Sequence, residues 1–138
     1  MDERRMQIGE LADRITLSLR TIRYYEEVGL VRPSARTPGG FRLYTEADAL
    51  RFETIKRMKP LDFSLEEMRD LLQVLDRLGD PALAAEEREQ LVERLVMYRL
   101  AVEERSRRLQ EQLAVAEDFQ ANLIAEIDRH RPSPSGAR

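Results

Sequence analysis

The chain has 138 residues, no cysteine, one histidine at His130 and a formal net charge of −3. This length allows one compact domain, or a small domain with one long element, and excludes a multidomain enzyme. The lack of cysteine removes disulfides, iron–sulfur clusters, thiolate metal sites and a cysteine nucleophile. With a single histidine, a metal would have to be held by carboxylates alone, so we expect no cofactor. Aromatic residues make up only 6% of the chain, which favours a mainly α fold over a sheet-rich core.

The net charge hides an asymmetry along the chain. Residues 1–60 carry 12 Lys or Arg against 9 Asp or Glu, a net of +3, whereas residues 61–138 carry 11 against 17, a net of −6. A basic part is therefore joined to an acidic one, which is compatible with nucleic-acid binding by the first part. The charged start and the lack of a long apolar run predict a cytoplasmic protein without a membrane partner.

Two short helices are predicted near the start of the chain. Apolar residues at helical spacing predict the first over roughly residues 7–14, and Ser18 is a good N-cap for the second. In the second helix Ile22 and Tyr25 point inward, and Gly29 ends it. Its outer face is basic and hydroxylated, with four candidate DNA-binding side chains: Arg20, Thr21, Arg23 and Tyr24. Such a pair is a helix-turn-helix, although an ordinary helical hairpin has the same pattern.

The next segment predicts a β-hairpin, or wing. Leu30-Val31 and Phe41–Tyr44 read as its two short strands, and Thr37-Pro38-Gly39-Gly40 reads as its turn. The wing adds three candidate DNA-binding side chains: Arg36, Arg42 and Tyr44. Arginines that flank a hairpin turn can reach a phosphate strand or the minor groove.

Two further helices follow the wing. Thr45 begins the first, in which Ala49, Phe52, Ile55 and Met58 form an apolar stripe, and Pro60 ends it. Ser64-Leu65-Glu66-Glu67 is a capping box that opens the second. The breaker Gly79-Asp80-Pro81 follows, so we expect a winged helix-turn-helix DNA-binding domain over residues 1–78 and a linker over 79–83.

The last long segment, residues 84–130, predicts a coiled-coil dimerisation helix. Apolar residues at coiled-coil spacing form its seam: Leu91, Leu95, Tyr98, Val102 and Leu109. A single surface helix is the alternative, but the preceding domain is too small to cover the whole stripe, so a homodimer is favoured. Residues 131–138 read as a disordered tail.

Five motifs in unbroken order resemble the MerR family of bacterial transcriptional regulators. They span roughly residues 6–78 and are Ile8-Gly9-Glu10-Leu11-Ala12, Thr21-Ile22-Arg23-Tyr24-Tyr25-Glu26, Gly29-Leu30, Gly40-Phe41-Arg42-Leu43-Tyr44 and Phe63-Ser64-Leu65-Glu66-Glu67-Met68. Two positions depart from the family pattern. Phe41 stands where Tyr is common, and Asp62 stands where Gly is common before the last motif.

The resemblance implies a function and partners. Family members pair as antiparallel homodimers through the long helix and bind double-stranded promoter DNA at pseudo-palindromic operators. They twist and bend promoters whose −35 and −10 elements are separated by an overlong spacer, so that RNA polymerase can engage both elements. Metal-sensing members use cysteines that this chain lacks. Two kinds of regulator therefore remain: one that responds to a small-molecule effector, bound near Met97, Tyr98 or Phe119, and one that has no ligand.

A protein-interaction module is the alternative function from another class. In that interpretation the acidic coiled coil binds a protein partner and the helix-turn-helix is only a scaffold. An enzyme is disfavoured because His130 has no nucleophile partner and the paired glutamates diverge on their helices.

Overall fold

The computed structural model describes residues 4–132. Helices dominate, and the elements in chain order are β1 (Met6–Gln7), α1 (Ile8–Ile15), α2 (Leu19–Glu27), β2 (Ala35–Arg36), β3 (Arg42–Tyr44), α3 (Glu46–Met58), a 3-10 turn (Lys59–Leu61), α4 (Leu65–Leu78) and α5 (Ala85–His130). The chain divides into two compact units, the first ending at Tyr98 and the second beginning at Arg99. The expected mainly α class with a winged helix-turn-helix is confirmed.

The sheet has three short antiparallel strands in the order β1-β3-β2. Met6 lies opposite Tyr44, and Ala35 lies opposite Leu43. The wing is therefore the hairpin of β2 and β3. Strand β1, just before α1, pairs with the other edge of β3. This third strand was not predicted from the sequence.

The prediction of a strand at Leu30-Val31 is wrong. Both side chains are buried, but both backbone N–H groups donate to the Tyr25 carbonyl at the end of α2, at N–O distances of 2.9 and 3.4 Å. Because the helix end uses these donors, the segment is a buried connector. The first wing strand forms later, at Ala35–Arg36.

Capping boxes begin both α3 and α4, and the one at Ser64 was predicted. Thr45 and Asp48 exchange side-chain and backbone hydrogen bonds at the start of α3, and Ser64 and Glu67 do the same at the start of α4. Between the two helices Asp62 adopts a left-handed conformation, with φ 61°. This is the conformation that the family's usual glycine would favour, and Asp tolerates it better than most residues do.

The core of the first unit joins the helix-turn-helix to the sheet and to α3. Leu11 and Ile15 of α1, Ile22 of α2 and Phe52 and Ile55 of α3 are at most 2% exposed. Burying a large apolar side chain contributes about 1.5–3 kcal/mol. This packing holds α1 and α2 against α3 and the sheet.

Helix α5 begins at Ala85, one residue later than predicted, and ends at His130 as predicted. In its first part Leu91 is buried within the first unit. From Arg99 onward its large apolar side chains are exposed: Leu100, Val102, Leu109, Leu113, Val115, Phe119, Leu123, Ile124 and Ile127. Of the predicted tail, residues 133–138 lie outside the described residues.

Two features are absent from residues 4–132. No helix in this range has a stretch long and apolar enough to cross a membrane. In the same range, no three His, Cys, Asp or Glu side chains are grouped so that they could hold a metal ion.

Candidate nucleic-acid interface

The turn between α1 and α2 is short and well defined. Thr16 ends α1 in a left-handed conformation, with φ 57°, which costs roughly 1–2 kcal/mol for a residue with a Cβ. The Ser18 hydroxyl oxygen then accepts a hydrogen bond of 3.0 Å from the Thr21 backbone N–H and caps α2. The predicted N-cap is confirmed, and Thr21 is half-buried beside it.

Helix α2 has one buried and one exposed face. Ile22 and Tyr25 are buried, whereas Arg20, Arg23 and Tyr24 are exposed, Tyr24 to 45%. Within the described residues neither Arg20 nor Arg23 forms an ion pair. Their guanidinium groups are thus free to make forked hydrogen bonds to phosphates or to guanine edges.

The C-terminus of α2 is closed in two ways. Gly29 adopts φ 80°, and the Leu30 N–H bonds back to the Tyr25 carbonyl at 2.9 Å, as in a Schellman motif. Arg69 of α4 also donates to the Val28 carbonyl at 2.8 Å. A cation at this position complements the partial negative charge of the helix end.

Helix α1 is held from α3 by charged side chains. Lys56 donates to the Ile15 carbonyl at 2.7 Å, which satisfies the C-terminus of α1. Arg14 forms a bidentate ion pair with Glu46 at the start of α3. The hydrogen bond between these two side chains lowers the pKa of the Glu46 carboxyl and raises the pKa of the Arg14 guanidinium. Both contacts fix α1 and therefore the start of α2.

The wing ends in a tight turn. The Thr37 N–H donates to the Phe41 carbonyl, and the Gly40 N–H donates to the Thr37 carbonyl, both at 2.8 Å. Gly40 has φ 86°, a conformation that glycine adopts without strain. The Phe41 ring beside this turn is 64% exposed, so the wing presents an aromatic side chain to its surroundings.

One carboxylate of α2 connects this helix to the wing. Glu26 accepts from Arg36 at 3.0 Å through Oε1, and from Arg42 at 2.5 Å and Tyr44 at 3.3 Å through Oε2. Arg36 also donates to the Gly40 carbonyl in the turn, at 3.2 Å. Both wing arginines therefore lie in defined positions beside α2.

The predicted contact of Tyr44 with DNA needs correction. The side chain is 0% exposed, and its ring packs edge-on against Phe52 with the centroids 6.1 Å apart. Burial, together with the Glu26 carboxylate, raises the pKa of the Tyr44 hydroxyl above its usual value. A side chain in the core cannot reach a phosphate, so Tyr44 supports the wing from inside.

The structure brings together most of the predicted DNA-binding side chains. Arg20, Arg23 and Tyr24 share the exposed face of α2, and Arg36 and Arg42 lie on the wing, where Glu26 partly neutralises them. Three residues missed in the sequence belong to the same region: Glu26, Arg32 and Phe41. Arg32 is exposed and forms no ion pair in the described chain, and its place in the basic segment before the wing was the available signal.

The predicted dimerisation seam needs correction in its first part. Leu91 is buried within the first unit and Leu95 is half-buried. The Tyr98 hydroxyl donates to Asp70 at 2.6 Å and to the Glu67 carbonyl at 3.2 Å. Leu91 and Tyr98 thus contact the rest of the first unit.

The later part of the seam is open. Val102 is 41% exposed and Leu109 is 46% exposed, both in the second unit. Exposed apolar residues that recur along one helix form a surface suited to a partner helix.

Residues 6–75 match the model of the MerR HTH family of regulatory proteins. The mercuric resistance operon regulatory protein of Bacillus cereus is 45% identical over 73 residues, which are 53% of this chain and 55% of that protein. The HTH-type transcriptional regulator ZntR of Escherichia coli K12 is 47% identical over 68 residues, 49% of this chain and 48% of ZntR. The chain spans about half the length of these curated relatives.

The fold also resembles that of solved structures. HiNmlR, a MerR family regulator lacking the sensor domain and solved bound to promoter DNA, has a TM-score of 0.65 and 21% identity, with coverage of 92% of this chain and 95% of that chain. At this identity the likeness concerns the fold alone. Because the family model covers half of the sequence and includes α1, α2 and the wing, the chain belongs to the MerR HTH family.

Proposed function

We propose that the protein is a sequence-specific DNA-binding transcriptional regulator of the MerR type. One observation carries this proposal: α2 exposes Arg20 and Arg23, neither of which forms an ion pair within residues 4–132, next to a wing that holds Arg36 and Arg42. The family model includes all four residues. The curated relatives that match this chain are named as regulators of an operon or of transcription.

Each exposed side chain has a role in the proposed interface. Arg20 and Arg23 make forked contacts with phosphates or guanine edges in the major groove, and the Tyr24 hydroxyl donates to a phosphate. Thr21 lies on the same turn of α2. The wing arginines contact the backbone or the minor groove beside it.

The proposal includes a homodimer that forms through the exposed apolar face of α5 after Arg99. A twofold dimer presents two copies of α2 to two inverted half-sites, so the operator is a pseudo-palindrome. Distortion of the DNA between the half-sites controls transcription by RNA polymerase in the cytoplasm, and base pairs that the protein never touches contribute to specificity.

A small-molecule effector is tested by repeating the binding measurement with candidate metabolites. The family consists of regulatory proteins, and no catalytic activity is proposed.

The test is selection of genomic DNA fragments by the purified protein at near-physiological salt, followed by sequencing and footprinting. We expect enrichment of inverted repeats inside promoters with an overlong spacer. If no fragment is enriched above random DNA, the proposal fails, and a protein-interaction module that uses α5 becomes the better interpretation. A control protein with Arg20 and Arg23 both changed to Ala should lose the enrichment while keeping its helical content.

A further inference from the structure

We propose that Glu26 is a positioning residue that determines the specificity of the DNA interface. Its carboxylate fixes the two wing arginines beside α2 and, in doing so, lowers their attraction for DNA of any sequence. This inference rests on the proposed function, because it concerns how the same interface separates an operator from other DNA.

The contacts place Glu26 between the two parts of the interface. Its side chain is only 14% exposed, and each of its oxygens accepts from a different wing arginine. Arg36 in addition reaches the turn of the wing through the Gly40 carbonyl. One carboxylate on α2 therefore holds one arginine from each strand of the wing, and one of these arginines also bonds to the turn.

The charge of Glu26 has the wrong sign for DNA binding by attraction alone. A carboxylate beside two arginines reduces the positive potential that phosphates meet, and each neutralised phosphate contributes about 0.9 to the salt dependence of binding. General affinity for DNA would thus be higher without this residue. Glu26 therefore favours DNA binding only where the position of the wing arginines matters more than the positive potential of the interface.

Geometry counts where arginines must meet particular groups. A free arginine side chain populates many rotamers, and ordering it on binding is costly. Glu26 orders Arg36 and Arg42 before DNA arrives, so an operator of matching shape gains from them in full. On other DNA the ordered side chains miss their partners, and Glu26 opposes their adjustment.

The experiment compares Glu26→Gln with Glu27→Gln. Glu27 is the adjacent residue on α2, is exposed and forms no ion pair within the described residues, so both changes remove one negative charge at nearly the same place. Dissociation constants are measured by fluorescence anisotropy at several salt concentrations. The probes are a duplex from the genomic selection and a mixed-sequence duplex of equal length.

For Glu26→Gln we expect opposite changes on the two duplexes. Binding to mixed-sequence DNA becomes about 2- to 5-fold tighter, and binding to the selected operator becomes about tenfold weaker. Glu27→Gln tightens binding to both duplexes by a similar factor and keeps the ratio. If Glu26→Gln also leaves the ratio of the two constants unchanged, the inference is overturned.

Glu26→Asp separates position from charge and guards against a folding defect. The shorter side chain keeps the negative charge but cannot reach both arginines, so operator binding should weaken with no change on mixed-sequence DNA. Circular dichroism and thermal melting check the fold of each variant, because loss of fold weakens binding to both duplexes together. Equal operator affinity for Glu26→Asp and the original protein contradicts the inference, whereas failure of the original protein to select any operator contradicts the proposed function instead.

Discussion

The Ser34 hydroxyl donates a hydrogen bond of 2.6 Å to Asp48 Oδ2, so the segment that enters the wing is tied to the start of α3. The same oxygen accepts from the Thr45 backbone N–H at 3.0 Å as part of the capping box. Asp48 is only 1% exposed. The base of the wing and the cap of α3 therefore depend on one buried carboxylate.

Replacement of Asp48 by Ala should lower the free energy of unfolding by about 2–4 kcal/mol. The change removes the Asp48 half of the capping box and leaves the buried Thr45 N–H without its acceptor, at a cost of about 1–3 kcal/mol, and the Ser34 hydroxyl loses its hydrogen bond, at a cost of about 1 kcal/mol. Urea denaturation measures the loss. Asp13→Ala, which removes an exposed carboxylate of α1, should change the stability by less than about 0.5 kcal/mol. A loss for Asp48→Ala as small as that of the control would show that the network contributes little.

Arg23→Ala should weaken operator binding by about 1–3 kcal/mol, because Arg23 is exposed on α2 and forms no ion pair with any described residue, which leaves its guanidinium to contact DNA. Its effect on stability should be small for the same reason. Arg129→Ala removes an equal charge in the second unit, where Arg129 pairs with Glu126, and should leave operator binding unchanged. Anisotropy titrations on the selected operator measure both variants, and equal losses would refute the role of Arg23.

Tyr44→Phe should reduce the loss of stability at alkaline pH. Burial raises the pKa of Tyr44 in the folded protein above its ordinary value of 10. As the pH rises above 10, the unfolded chain loses this proton before the folded chain does, so the folded state is progressively destabilised. Without the hydroxyl this component disappears. Melting temperatures between pH 9 and about 12 measure the effect.

The control for this pH profile is Tyr24→Phe, which removes an exposed hydroxyl from α2. We expect its profile to follow that of the original protein. If the stability of Tyr44→Phe falls with pH as steeply as that of the original protein and of Tyr24→Phe, the Tyr44 hydroxyl does not contribute to the pH dependence. At neutral pH Tyr44→Phe should cost about 1 kcal/mol through loss of the hydrogen bond to Glu26.

Leu109→Asp should convert the proposed homodimer into monomers. Leu109 is about half exposed within its own chain, so the change spares the fold of the monomer but places an unpaired charge in a helix pair, at a cost of about 3–5 kcal/mol. Sedimentation velocity measures the oligomeric state. Gln110→Asp adds the same charge at the next position and should leave the dimer intact. A Leu109→Asp protein that sediments like the original would place the dimer contact elsewhere.

Local signals account for the elements that were predicted correctly. Ser18, Thr45 and Ser64 each cap a helix with their own side chain, and the information for this lies within four residues. The pair of Met6 with Tyr44 is different, because two residues carry no strand pattern and the partner lies 38 positions away. The strand predicted at Leu30-Val31 failed because a helix end competed for its backbone donors.

The candidate site was predictable where exposure follows from helical spacing. Arg20, Arg23 and Tyr24 lie opposite the apolar face of α2, so their exposure could be inferred. Tyr44 could not be placed in this way. Alternation along β3 sets it on the same face as Arg42, but only the position of Glu26 in space shows that this face is turned toward α2.

Lys56 and Arg69 determine how short a fragment of the chain can be and still keep this interface. Each is about 40 positions from the helix end that it caps, so α1 and α2 rely on donors supplied by α3 and α4. A peptide of the helix-turn-helix alone would lose both donors and most of the core around Ile22. Grafting a new DNA specificity onto this protein therefore requires exchange of side chains on the surface of α2, or exchange of the whole segment through α4, and not transplantation of the two helices by themselves.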